Sequence, residues 1–225
     1  MNRPFCNETV LVPGAAGQIE VLIDTPDAVR GIALVCHPHP LFGGTNGNKV
    51  VYTLARAFRD LGYVSLRPNF RSVGRSEGAH DHGDGETQDM QAVLAWAQRR
   101  WGDLPVVLGG FSFGAYVQMR LANCLAAAAP PRYLVLVGTA AGMAGGGMTG
   151  DGSMREYETP TVPKGVPALL IHGEIDDVVP LANVLDWARP QELPVVVLPG
   201  ADHFFHGRLG PIRKFVARIV APAGA

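Results

Sequence analysis

Short apolar runs alternate along the chain with stretches whose apolar positions recur every three or four residues. ETVLVPG and GQIEVLIDTP read as two early strands paired antiparallel. GIALVC is a continuous run of branched residues, as expected for a strand buried on both faces. A helix follows from Asn46 to Leu61, with Val50, Val51, Leu54, Ala57, Phe58 and Leu61 as its apolar stripe and Gly62 at its end. YVSLRP is the next strand, and the polar segment NFRSVGRSEGAHDHGDGE the next loop. A second helix begins near Glu86, buries Met90, Val93, Leu94, Ala97 and Trp101, and stops at Gly102 and Pro105. PVVLGGF is a strand, and Ser112 opens a helix with Val117, Leu121 and Leu125 on one face. YLVLVG, PALLIHG and PVVVLPG are the remaining strands. Helices follow around Leu181 to Ala188 and from Ile212 to Val220.

Strand and helix in strict alternation predict an α/β fold: a doubly wound, mostly parallel sheet with helices on both faces. The length of 225 residues suits a single domain over 1–225, without repeats or linkers. One stretch breaks the rhythm. Ala140 to Lys164 is glycine-rich and has no clear apolar period, and reads as a surface excursion or a mobile lid. In sheets of this kind ligands bind beyond the carboxyl ends of the strands, so chemistry is sought in the turns that follow them.

Composition narrows the function. Hydrophobic residues make up 47% of the chain and charged residues 17%, with a net charge of -1, so nothing draws nucleic acid or an anionic membrane. The densest basic cluster is Arg67, Arg71 and Arg75. Cys6, Cys36 and Cys124 form no CxxC pair and no even disulfide set, which fits a reducing compartment. No apolar run reaches signal-peptide or membrane-span length, so a cytoplasmic protein is expected.

Gly110-Phe111-Ser112-Phe113-Gly114 matches G-x-S-x-G, with a strand directly before it and a helix directly after. That turn lifts a serine hydroxyl above the sheet and aims the helix amides at developing negative charge. A serine needs a base, and the base needs a carboxylate. Glu174, Asp176 and Asp177 follow one strand and are the acid candidates. His203, flanked by Phe204 and Phe205, follows the last strand and is preferred to His206 as the base. His37-Pro38-His39-Pro40 ends GIALVC. Prolines have no N–H, which leaves the amide of His39 or Leu41 as an oxyanion donor beside that of Phe113. His37-x-His39 with His80 and His82 also permits a metal reading, but the serine turn with its partners explains the site without a metal or other cofactor.

HPHPLFGGTNGNKV, RPNFRSVGRSEG, GFSFGAYV, IHGEIDDVVP and GADHFFHG, in that order, resemble the α/β-hydrolase superfamily, closest to small cap-less bacterial members. The resemblance implies a Ser112, Asp176 and His203 triad, with Asp177 the second choice for the acid. It places the second oxyanion amide on His39. It makes Asn69-Phe70-Arg71 and Gly74-x-Ser76 a structural turn, with Asn69 in place of the usual acid and Ser72 in place of the usual glycine. The expected activity is hydrolysis of small acyl or aryl carboxylic esters through an acyl-enzyme. Amide or peptide cleavage and acyl transfer use the same apparatus, and a non-catalytic ligand binder is the reading from another class. The expected partner is a small-molecule ester. Nothing in the pattern sets an oligomeric state.

Overall fold

The computed structural model describes residues 7–145 and 154–220. Its frame is an eight-stranded sheet. β1 (Asn7–Gly14) and β2 (Gly17–Asp24) form the antiparallel hairpin. Then come β3 (Gly31–Cys36), α1 (Lys49–Asp60), β4 (Tyr63–Pro68), α2 (Asp84–Trp101), β5 (Val106–Phe111), α3 (Phe113–Leu125) and β6 (Tyr133–Val137). A two-stranded ribbon, β7 (Gly142–Ala144) and β8 (Arg155–Tyr157), precedes β9 (Ala168–Gly173), α4 (Leu181–Ala188), β10 (Val195–Leu198) and α5 (Leu209–Ile219).

The strand order is β1-β2-β4-β3-β5-β6-β9-β10. β2 runs antiparallel to β4, and from β4 to β10 all neighbours are parallel. Every residue of β3 and β4 is buried, which is why neither alternates; β3 is wholly apolar, and β4 takes Ser65 and Arg67 inside with hydrogen-bond partners. One hydrophobic cluster joins the sheet to α2, α3 and α4 through Met90, Val117 and Val184. The other joins its opposite face to α1 and α5 through Leu54, Phe58 and Ile212. From β3 the chain passes to β4 on one side and then, through α2, returns to β5 on the other side of β3. The carboxyl ends of β3 and β5 therefore flank the switch point where such sheets hold ligands.

Element boundaries moved where capping decides them. α1 begins at Lys49, not Asn46, because the Asn48 side chain accepts from the N–H groups of Val50 and Val51. α2 begins at Asp84, ahead of Glu86, because Glu86 reaches back to the amide of Gly83. α5 starts at Leu209, a turn before Ile212. The glycine-rich stretch contains the antiparallel β7–β8 pairing, whose three-residue strands are too short to show a period. Its middle, 146–153, lies outside the described residues, and the lid reading with it; so does Cys6.

The arginine cluster is largely structural. Arg67 is buried against Asp24 at 2.9 Å, and Arg71 forks onto both oxygens of Asp89 at 2.9 Å each. Asn69 bridges the turn after β4 to the loop after β3: its Oδ1 accepts from the Asn46 amide at 2.8 Å, and its Nδ2 donates to Glu20. Ser72 takes a left-handed φ of 70°, the conformation that favours glycine at that place in related turns.

Candidate active site

β5 delivers Ser112 into a turn with φ 56° and ψ -121°, a conformation rare for a residue with a side chain. The flanking glycines make that turn possible. A Cβ on Gly110 would stand 2.4 Å from the carbonyl oxygen of Gly114, and one on Gly114 would stand 2.4 Å from that of Cys36. Side chains at either position would push α3 off the sheet.

The Oγ of Ser112 lies 3.0 Å from Nε2 of His203, and Nδ1 of His203 lies 2.7 Å from Oδ2 of Asp176. All three residues are buried. A carboxylate facing Nδ1 fixes the tautomer: Nδ1–H donates, and Nε2 accepts from the serine hydroxyl. The ring of His203 packs against Phe111 and Phe204, with centroids at 4.9 and 5.2 Å, and Gly138 leaves it room. His206 is on the surface, paired with Asp202 at 2.6 Å.

The three acid candidates are separated by where the turn after β9 puts them. Asp176 is buried, and its Oδ1 accepts from the amides of Val178 and Val179 at 3.0 and 2.7 Å. Glu174 is exposed and accepts from the Gly200 amide. Asp177 is exposed. His172, the last-but-one residue of β9, also approaches this centre. Its Nε2 donates to the Val179 carbonyl at 2.9 Å and lies 3.3 Å from Oδ2 of Asp176. Burial holds the pKa of His172 below the ordinary histidine value, so the ring is neutral.

The amides of Phe113 and His39 meet no acceptor among the described residues. The Leu41 amide is engaged, donating to Nδ1 of His39 at 3.3 Å. Both ring nitrogens of His37 are engaged as well: Nδ1 donates to the Pro38 carbonyl at 2.7 Å, and Nε2 accepts from the Phe70 amide at 2.9 Å. Burial pushes the His37 pKa down to about 4 and that of His39 also to about 4. Among the described residues, no three His, Cys, Asp or Glu side chains converge as a metal ion requires. Cys36 is buried, and burial drives its thiol pKa far up, so it is a packing residue.

A cavity of about 200 Å³ opens beside Ser112. His39, Phe113 and Tyr157 form walls, and Leu41, Phe42 and Met154 stand partly exposed around it. Tyr157 and Met154 come from the glycine-rich stretch, where no period marked them. His172, Gly138 and the cavity residue Arg155 were likewise given no role by sequence, and His80 entered only as a further ligand in the metal reading. His172 carried a signal as well, as the histidine of IHGEIDDVVP.

This fold and site define an α/β serine hydrolase, small and without a helical cap among the described residues. Over residues 18–155 the chain matches the family described as X-Pro dipeptidyl-peptidase (S15 family), and it belongs to that family. It is 34% identical to an uncharacterized protein of Rickettsia prowazekii (strain Madrid E) over 200 residues, 82% of this chain and 76% of that protein. Among solved structures it resembles an α/β serine hydrolase homologue from Coxiella burnetii, with 38% identity, a TM-score of 0.79, and coverage of 98% of this chain and all of that one. It also resembles a serine hydrolase without a lid from Xanthomonas campestris, with 33% identity, a TM-score of 0.82 and full coverage of both chains. No helix among the described residues is long and apolar enough to cross a membrane.

Proposed function

We propose that the protein is a carboxylesterase acting on small acyl or aryl esters. Ser112 attacks the acyl carbon while His203 takes its proton at Nε2. Asp176 holds His203 in the required tautomer and stabilises the imidazolium. The amides of Phe113 and His39 receive the oxyanion. His203 then protonates the leaving alcohol, and water, deprotonated by the same histidine, releases the acid. The observation that carries this reading is the hydrogen-bonded line from Ser112 through His203 to Asp176. The two hydrophobic clusters share one sheet, which supports a single catalytic domain. Balanced charge and free cysteines favour a cytoplasmic home and a small-molecule partner.

The family's name describes a peptidase, and a peptidase would use the same triad. The cavity favours the ester. A dipeptidyl peptidase must hold an N-terminal ammonium, which calls for a carboxylate, and among the described residues no Asp or Glu lines the cavity. Labelling with a fluorophosphonate probe tests the nucleophile: wild type is expected to label and Ser112→Ala to stay dark. Persistent labelling of the variant overturns the assignment. A panel of p-nitrophenyl esters of increasing acyl length, set against an Xaa-Pro p-nitroanilide, tests the substrate class. Faster turnover of the anilide overturns the ester reading.

A further inference from the structure

A second carboxylate–histidine pair puts its histidine, His80, in the wall of the cavity that Ser112 lines. Glu86 is wholly buried, and its carboxylate accepts from the amides of Asp81 at 3.0 Å and Gly83 at 2.8 Å. Its Oε1 also meets Nδ1 of His80 at 2.8 Å. The plan repeats that of Asp176, a carboxylate pinned by two backbone amides and turned to a histidine Nδ1. Nδ1 of His80 therefore carries the hydrogen and donates it to Glu86. Burial lowers the pKa of His80, and the ring is neutral. Nε2 is left as a bare acceptor. The His80 side chain is only 5% exposed, lines the cavity, and its Nε2 is buried with no partner. A buried acceptor without a donor is costly, and a donor brought by a bound molecule would offset that cost.

The acyl half of an ester is what this cavity can take. His39 and Phe113, whose amides are the oxyanion donors, both line it. His203, which must protonate the leaving alcohol, does not. Around His80 the walls are flat rings: His39 and His82 at 4.7 Å between centroids and Phe113 at 5.4 Å. A carboxylate has no hydrogen to donate to a bare acceptor. The guanidinium of Arg155 in the same cavity opposes an ammonium. A neutral hydroxyl satisfies both conditions.

We infer that His80 is a specificity-determining residue whose Nε2 accepts a hydrogen bond from a hydroxyl on the acyl group, making hydroxylated carboxylic esters, hydroxyaryl ones foremost, the preferred substrates. The inference rests on the ester-hydrolase reading of Ser112. Matched p-nitrophenyl esters test it: phenylacetate against its three ring-hydroxylated isomers, and butyrate against 3-hydroxybutyrate. In wild type, kcat/KM for at least one hydroxylated ester is expected to exceed that of its partner by about tenfold or more. His80→Phe keeps a ring and removes the acceptor, and is expected to bring that ratio to about one. The ratio is the readout, so a general loss of activity does not mimic the effect. The wild-type comparison needs no variant and stands even if His80→Phe fails to fold. Ratios near one for every wild-type pair, or a preference that survives in His80→Phe, overturn the inference. Ester hydrolysis undiminished in Ser112→Ala overturns instead the reading beneath it.

Discussion

Nε2 of His172 lies 3.3 Å from the same Asp176 oxygen that Nδ1 of His203 reaches at 2.7 Å. The carboxylate takes three hydrogen bonds, two from backbone amides on Oδ1 and one from His203 on Oδ2, while the Nε2–H of His172 goes to the neighbouring Val179 carbonyl. A carboxylate so fixed orients a histidine better than one free to rotate. We expect His172 to position Asp176 indirectly, by fixing the Val179 peptide whose amide binds Oδ1. His172→Phe is expected to lower kcat about tenfold with KM unchanged, and His172→Gln, which keeps a donor, to recover part of the loss. Steady-state kinetics on a p-nitrophenyl ester decides. A fall in KM and kcat together, with no recovery in the glutamine variant, would mean that His172 only fills space.

Asp176 and Asp177 are neighbours in sequence and opposites in environment. Asp176→Asn presents an amide where His203 needs an acceptor for Nδ1–H, and favours the wrong tautomer. Turnover is expected to fall by about 10⁴, as in other serine triads. Asp177→Asn changes an exposed side chain and is expected to leave kcat within about twofold. Comparable losses in the two variants, measured as kcat on one ester, would remove Asp176 from the role proposed for it.

Much of this architecture was legible in the chain because burial leaves a mark on composition. A strand buried on both faces, such as GIALVC, is an unbroken apolar run. GFSFG was informative because it stood between such a run and a helix. Other features leave no such mark. Asp176 and Asp177 differ only in which way a turn points them. β7 and β8 are too short for any period. The Glu86–His80 pair joins a helix start to an aperiodic loop, where turn geometry alone sets side-chain direction, and Glu86 read simply as the start of a helix.

The elbow glycines make a contrasting pair with Gly210. A Cβ on Gly114 would meet two backbone oxygens, of Cys36 at 2.4 Å and of His37 at 2.5 Å, and neither can swing aside. Gly114→Ala is expected to cost about 2 kcal/mol, and to cost activity more heavily because the displaced elements carry Ser112 and His39. Gly210 lies in α5 with open space around its Cβ position and no positive φ. Gly210→Ala is expected to stabilise by a few tenths of a kcal/mol through helix propensity and reduced chain entropy. Thermal unfolding of both variants reads the two signs, and a neutral Gly114→Ala would show that the elbow tolerates a methyl group.

His37 couples stability to pH. Its pKa is about 4 in the folded protein, against an ordinary value of 6.5, because burial disfavours the charged ring. Both nitrogens are engaged in the neutral form, one donating and one accepting. Between the two pKa values the unfolded chain binds a proton that the folded chain refuses. The stabilisation is therefore complete above the unfolded value and is lost as pH falls toward the folded one. From about pH 7 to about pH 4.5 this single group removes on the order of 2–3 kcal/mol. His39, also lowered to about 4, adds a loss of the same sign. His37→Gln retains a donor and an acceptor and has nothing to titrate. Wild type is expected to start more stable at neutral pH and to lose that advantage on acidification, so the two curves converge. Denaturant unfolding at the two pH values measures the difference, and parallel curves would mean that His37 carries its proton in the folded protein.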